Sequence, residues 1–222
     1  MTRLWALLVP LMIGLSVASY AGQESGTPSA AEILERSIAY HDPKDLWSSR
    51  PLEITAEVRL AERLASERGY AERTDRILID NGSGAFRYQS TRGDETVDES
   101  GDGRYKNYFT YVFGVPMKLR DEGTLVDPAL RREKFGGREV LALRVTYSPE
   151  VGSDVWDFFF DPETYALTGC RFFHDETARD GEFLVYEGEI EGPEGLRLPR
   201  TRLWHMNLDD EYIATDEIIS IR

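Results

Sequence analysis

The sequence contains little cysteine and little positive charge, and each shortage excludes a class of protein. The one cysteine among 222 residues, Cys170, excludes an intramolecular disulfide framework. Cys170 lies in a strand-like run, so we predict that it is a small buried residue and not a nucleophile. Only 26 Lys and Arg stand against 40 Asp and Glu, and a net charge of −14 disfavours nucleic acid and anionic lipid headgroups as partners.

Catalytic and metal-binding motifs are also scarce. The three histidines, His41, His174 and His205, do not have the spacing of a helical zinc pair. Residues 98–103 resemble the first half of an EF-hand loop, but Phe109 stands where calcium needs a glutamate, so we interpret the segment as a hairpin turn. The sequence has no nucleophile elbow, phosphate-binding loop or dinucleotide fingerprint. We therefore expect no metal, no cofactor and no catalytic residue.

The chain begins like an exported protein. Arg3 precedes an apolar run from Leu4 to Ala18, so residues 1–21 are predicted to be a signal peptide cleaved near Ala21, with cleavage after Ala18 as the alternative. An uncleaved anchor is disfavoured, because the run of about 15 residues is shorter than the roughly 20 that cross a bilayer core. We expect a periplasmic or secreted protein without a stable membrane anchor.

The rest of the chain predicts one α+β domain. Residues 22–29 are small and polar, typical of a flexible leader, and Ser29 with Glu32 forms a capping-box sequence before a helix at residues 30–40. Apolar and polar residues then alternate with period two in segments joined by short turns, which connect antiparallel strands. We also predict a short helix at residues 108–113, and a single domain over residues 30–222. The ten predicted strands are residues 52–60, 70–79, 85–90, 95–98, 139–147, 155–160, 166–174, 182–190, 197–206 and 212–221.

An acidic and aromatic region lies in the C-terminal half. Residues 150–195 contain 13 Asp and Glu but only two arginines. Period two places the acidic Asp157 and Asp161 on one strand face, which we expect to be wet because unpaired carboxylates are costly to bury. The opposite face is aromatic, and we expect it to form an apolar site on the concave side of the sheet. The predicted ligand-binding residues are Trp156, Phe158, Phe160, Tyr165 and Trp204.

A second motif, Tyr40-His41-Asp42-Pro43 followed by Trp47, stands where the first helix gives way to the sheet. Pro43 disfavours helical dihedrals at Asp42, whose carboxylate is then free to accept hydrogen bonds from local backbone donors. Tyr40 and Trp47 are large enough to anchor the junction by burial. We interpret the motif as structural.

With this motif, the runs Phe160-Asp-Pro-Glu-Thr-Tyr165, Gly169-x-Arg171-Phe172 and Leu198-Pro-Arg-Thr-Arg-Leu-Trp204 resemble a family of exported bacterial proteins of unknown function. That family is similar in pattern to the LolA and LolB lipoprotein carriers. The resemblance implies a strongly bent antiparallel half-barrel whose concave face is covered by short helices and holds acyl chains. It brings no catalytic residues, and the chain lacks the lipobox cysteine of a LolB-like lipoprotein.

Three functions remain open at this point. The first is a soluble periplasmic binding or carrier module, not an enzyme, for a lipid, a lipoprotein acyl chain or another apolar ligand. The second is a structural or interaction domain with a filled interior. The third is a hydrolase or metal enzyme in which His41, His174 and His205 converge. A contiguous apolar cavity, a filled sheet or clustered histidines would distinguish them.

Overall fold

The computed structural model describes residues 28–222, which contain four α-helices, twelve strands and three short 3-10 helices, Met117–Arg120, Glu176–Ala178 and Pro193–Gly195. The predicted signal peptide and residues 22–27 of the predicted leader lie outside these residues. The helices are α1 (Ala30–His41), α2 (Leu46–Ser49), α3 (Glu62–Arg68) and α4 (Gly103–Gly114). The strands are β1 (Leu52–Leu60), β2 (Glu72–Asp80), β3 (Ala85–Arg92), β4 (Glu95–Asp98), β5 (Thr124–Val126), β6 (Arg131–Phe135), β7 (Arg138–Tyr147), β8 (Val155–Phe160), β9 (Leu167–Phe173), β10 (Glu182–Glu191), β11 (Arg197–Met206) and β12 (Tyr212–Ile221). Over residues 28–222, we find no helix of the length and apolar character that a membrane span requires.

All strands belong to one antiparallel sheet, in the order β4-β3-β2-β1-β12-β11-β10-β9-β8-β7-β5, with β6 also paired to β7. Strands that are neighbours in the sheet are also consecutive in the chain except at two places, where β12 lies beside β1 and β5 lies beside β7. The ends of the order, β4 and β5, do not pair, so the sheet is not closed into a barrel. The predicted α+β class with a large antiparallel sheet is confirmed. The two additional strands, β5 and β6, are short, and β6 is mostly charged, so alternation does not reveal them.

Helix α1 begins and ends through local hydrogen bonds. Ser29 and Glu32 form the predicted capping box, in which the Ser29 backbone N–H donates to the Glu32 carboxylate at 2.8 Å. At the other end, the Asp42 carboxylate accepts hydrogen bonds from the backbone N–H groups of Leu46 and Trp47, each at 2.8 Å. These bonds satisfy the first donors of α2 and fix the turn between the two helices.

The main core lies between the helices and the concave face of the sheet. Helix α1 contributes Ile33 and Ile38 to this core. Helix α4 contributes Phe109 and Phe113, which are four residues apart and so share one face of the helix. Gly114 ends α4 directly against the Trp47 ring, where an added Cβ would overlap the indole. The sheet side is apolar along its whole centre and includes Leu52, Ile54, Ile77, Leu143, Phe158, Phe160, Leu184, Leu198 and Ile218.

The outer face of the sheet is not wet along β8, contrary to expectation. The β6–β7 hairpin folds over it, and Phe135 stacks on Phe159 with ring centroids 3.9 Å apart. Asp157 is only 6% exposed, because Arg131 and Arg144 bind its carboxylate at 2.7 and 3.1 Å. The expectation failed because it treated Asp157 as unpaired, whereas Arg144 on the neighbouring β7 and Arg131 on β6 neutralise it.

Segment 98–103 is not a hairpin turn. It connects β4 to α4, and the Asp102 side chain accepts the backbone N–H of Arg104 at 2.8 Å as the N-cap of that helix. The predicted helix at residues 108–113 is therefore the second half of a longer one. This N-cap fixes where α4 begins.

Candidate ligand-binding groove

A groove of about 740 Å³ opens at the end of the concave face that the core does not fill. Helix α4 and the segments 118–124 and 147–154 form one wall, and the ends of β8, β9, β10 and β11 form the other. The side chains and backbone that line it are Asn107, Tyr108, Thr110, Tyr111, Val112, Lys118, Asp121, Glu122, Thr124, Tyr147, Val151, Gly152, Ser153, Asp154, Trp156, Phe172, His174, Glu182 and Trp204.

Aromatic rings dominate both walls. On the sheet side, Trp156 and Phe172 are cross-strand partners whose rings stack with centroids 4.5 Å apart. On the helix side, Tyr111 lies 4.9 Å from Trp156, and Tyr108 stacks on Trp204 at 6.1 Å. Tyr108 and Tyr111 are three residues apart in α4, so they share the face beside the one that enters the core.

A pair of hydroxyls closes one corner of the groove. Tyr111 and Tyr147 form a hydrogen bond through their hydroxyl groups, which links α4 to β7. Burial is the main cause that raises the pKa of both phenols above the ordinary value, so both are neutral at physiological pH. This corner is polar in its hydrogen bonding but carries no charge.

The mouth of the groove is charged. His174 Nδ1 lies 2.9 Å from the Asp154 carboxylate, and this hydrogen bond raises the pKa of His174. Lys118 pairs with Asp121 on the helical side. Glu182, the first residue of β10, has a raised pKa, mainly because it is partly buried.

A buried polar network supports the groove from below. The Trp204 indole N–H donates to Asp216 at 3.0 Å, and Arg202 approaches the same carboxylate at 3.5 Å. Arg202 is completely buried and lies over the Phe113 and Tyr186 rings, at 4.6 and 5.5 Å. Burial is the largest influence on Asp216 and raises its pKa. The network fixes the orientation of the Trp204 ring at the edge of the groove.

The structure distributes the five predicted ligand-binding residues over three environments. Trp156 and Trp204 line the groove. Phe158 and Phe160 point to the same side of β8 but are 0% exposed in the main core. Tyr165 lies outside the groove lining, where its hydroxyl accepts a hydrogen bond from Arg36 at 2.8 Å and its ring lies below the guanidinium.

Sequence reasoning missed four aromatic residues of the groove: Tyr108, Tyr111, Tyr147 and Phe172. Period two assigns a side chain to a face of a strand but does not say where along that face the core ends. The helical spacing of Tyr108 and Tyr111 was a usable signal, because two tyrosines three residues apart form an aromatic stripe next to the apolar one.

The three histidines do not form a common site. His41 is completely buried, and its two ring nitrogens are used: Nδ1 lies 2.8 Å from the Arg197 carbonyl and Nε2 accepts the Leu167 N–H at 2.8 Å. His205 lies 3.0 Å from the Asp210 carbonyl. Residues 28–222 hold no group of three His, Cys, Asp or Glu side chains arranged for a metal ion. Cys170 is buried, and burial raises the pKa of its thiol to about 12, as expected of an unreactive cysteine.

The sheet, the helices on its concave face and the side groove define the class as an open antiparallel α+β fold wrapped around short helices. The chain belongs to a family of unknown function, DUF6503, whose model matches residues 94–220. This family membership confirms the resemblance to a family of unknown function that the sequence motifs indicated. No match is found among curated proteins.

Two solved structures are similar to the chain. A DUF1329 family protein from Desulfovibrio piger has 8% sequence identity and a TM-score of 0.51, with 86% of this chain and 92% of that chain covered. A putative outer membrane lipoprotein-sorting protein domain from Vibrio parahaemolyticus has 13% identity and a TM-score of 0.48, with 85% and 91% covered. At such identities the likeness concerns the fold alone.

Proposed function

We propose that this protein is a non-enzymatic binding or carrier module that holds an apolar ligand, such as a lipid or an acyl chain, in the groove beside α4. The observation that carries the proposal is the wall of aromatic rings around an open volume of about 740 Å³. This volume falls in the range of roughly 300 to 1,000 Å³ that is typical of small-molecule sites, which are mostly apolar with a few polar groups.

The ligand contacts Trp156 and Trp204 on the sheet side and Tyr111 on the helix side. Phe158 and Phe160 support these contacts from the core below, and Tyr165 braces α1 through Arg36. The protein acts in the periplasm or outside the cell, after removal of residues 1–21. The folded unit is the single domain over residues 30–222.

The two other candidate functions, an interaction domain with a filled interior and a hydrolase, fit the structure less well. A domain with a filled interior agrees with the packing around Phe158, but it does not account for an aromatic surface left open beside it. For a hydrolase, His174 is the one groove histidine. Within residues 28–222 its Nδ1 bonds to Asp154, and no hydroxyl or thiol hydrogen-bonds to its other ring nitrogen.

Native mass spectrometry of the protein isolated from a bacterial periplasm tests the proposal. We expect a co-purifying lipid to appear as a defined mass increment, and the delipidated protein to bind a fluorescent fatty acid. Phe172→Ser should weaken that binding by about tenfold or more, since it removes a large apolar contact.

Phe183→Ser is the matched control, because Phe183 is also half-buried but packs on the outer face against Phe135. It should lose a similar amount of stability and keep the binding. Absence of any bound mass together with absence of probe binding would contradict the carrier function.

A further inference from the structure

The groove is lined by more acidic than basic side chains, and not every acidic one has a basic partner. Its ionisable lining comprises four carboxylates and two basic groups: Asp121, Glu122, Asp154, Glu182, Lys118 and His174. Lys118 pairs with Asp121, and His174 pairs with Asp154. Over residues 28–222, no basic side chain forms an ion pair with Glu182. A carboxylate in the wall of an aromatic groove is therefore left without a counterion of its own.

Glu182 is directed to the ligand by the register of the sheet. It lies two residues before Leu184, which is buried on the concave face and pairs with Cys170 on β9 and Trp204 on β11. Side chains two residues apart on a strand share a face, so Glu182 projects on the same side as Trp204 and Phe172. All three line the groove.

A half-buried carboxylate without a partner is costly, and the cost is recovered when a cation binds beside it. Burial and the nearby Asp180 and Asp154 raise the pKa of Glu182, and the charge of His174 opposes this. A ligand cation would lower the pKa of Glu182, as the charge of His174 does, and so would favour the ionised carboxylate. The neighbouring lining residues Trp156, Phe172 and Trp204 carry indole and phenyl rings, the ring types that attract ammonium groups.

We propose that the ligand of the groove is a cationic amphiphile, with an ammonium group held between Glu182 and the rings of Trp156, Phe172 and Trp204 and an apolar chain along α4. This inference rests on the proposed function and names its ligand class. The acidic groove excludes an anionic headgroup by repulsion, as the acidity of the whole chain does at longer range.

Titration calorimetry with three ten-carbon probes below their micelle concentrations tests the inference: decyltrimethylammonium, decyl glucoside and decanoate. We expect the cation to bind about tenfold more tightly than the neutral probe, and decanoate more weakly than either. Glu182→Gln should remove the preference for the cation, so that decyltrimethylammonium and decyl glucoside bind about equally. Gln keeps the size and polarity of the side chain, and burial at this position raises the pKa of Glu182, so we expect a neutral group to be tolerated there.

Glu187→Gln is the matched control, because Glu187 is an exposed carboxylate on the same strand outside the groove. It should leave the preference intact. A fourth probe, dihexanoylphosphatidylcholine, identifies the source: binding tighter than decyltrimethylammonium indicates a phospholipid headgroup, and weaker binding indicates a free alkylamine, and both support an ammonium site.

The results separate the two proposals. Equal binding of the three probes, or tightest binding of decanoate, overturns the cationic ligand and leaves the carrier function standing. An equal loss of preference in Glu187→Gln overturns it as well, because the selectivity would then come from the net charge of the chain. Binding of none of the probes contradicts the carrier function itself.

Discussion

One face of strand β8 passes from the tightly packed core into the open groove. Phe160 and Phe158 are completely buried under the helices, whereas Trp156, two residues earlier, lines the open groove. The residue type and the alternation are the same in both regions. What differs is the cover: α4 presents Phe109 and Phe113 to the core but tyrosines to the groove. The side chains of α4, and not those of β8, therefore determine which part of this face is covered and which is open.

The two regions also treat buried charge differently. In the core, Arg202 and Asp216 are both buried and compensate each other, with the Trp204 indole as a further donor. In the groove, Glu182 has no such partner among residues 28–222. A buried charge without a partner is costly, and a bound cation would reduce that cost at Glu182. This contrast is the physical basis of the cationic-ligand inference.

The largest expected effect separates Phe158 from Trp156. Phe158→Ala should lower the free energy of unfolding by about 3 to 5 kcal/mol, since it leaves a cavity in a filled core. Trp156→Ala should cost about 1 kcal/mol, because its ring already contacts an open volume, yet it should weaken ligand binding by about tenfold. Urea unfolding measures the first quantity and probe titration the second. Similar losses of stability in the two variants would mean that the regions are not distinct.

An intermediate effect concerns the pH dependence of the junction between α1 and the sheet. Burial lowers the pKa of His41 below its ordinary value of 6.5, so the unfolded chain takes up the proton first. The contribution of His41 is therefore fully present above about pH 6.5 and is lost as the pH falls through the folded-state pKa. We expect stability to fall on acidification in this window, and the fall to be smaller in His41→Gln.

His174 provides the opposite control. Its hydrogen bond with Asp154 raises its pKa, so its contribution is present at low pH and is lost as the pH rises through the folded-state value. His174→Gln should therefore make the acid-induced fall steeper. If the two histidine variants change the pH profile in the same direction, the assignment of a buried neutral His41 is wrong.

The smallest expected effect is on the outer face. Asp157→Asn should cost about 1 kcal/mol, because its partners Arg131 and Arg144 are partly exposed and keep Glu133 and Glu176 as counterions. Ligand binding should not change, since Asp157 faces away from the groove. A binding defect in this variant, measured with the same probe, would indicate that the two faces of the sheet are coupled.

Much of the fold was predictable because it follows local rules. The capping box at Ser29, the alternation along β1 and the turn residues between strands each specify structure within a few positions. The β6–β7 hairpin was not predictable, since its reason is the distant Phe159, on which Phe135 stacks. Gly169 permits the same approach, because a Cβ there would overlap the Phe135 ring.

The site was predictable only in part, for the same reason. The sequence indicates that Trp156 and Trp204 face the concave side, and both line the groove. It does not indicate that Phe158 is covered, since that depends on how α4 lies across the sheet. Nor does it reveal that Arg202 is buried, because an arginine in an alternating strand is normally assigned to the solvent face.

An NMR titration of the tryptophan indole N–H signals tests the central claim, that the groove beside α4 binds the apolar ligand. Three of the four tryptophans lie in the described residues: Trp156 and Trp204 in the groove and Trp47 in the core. On addition of decyltrimethylammonium or decyl glucoside, the signals of Trp156 and Trp204 should shift together, and that of Trp47 should not. A shift of Trp47 alone, or no shift of any indole while the probe binds, would place the ligand elsewhere and contradict the account.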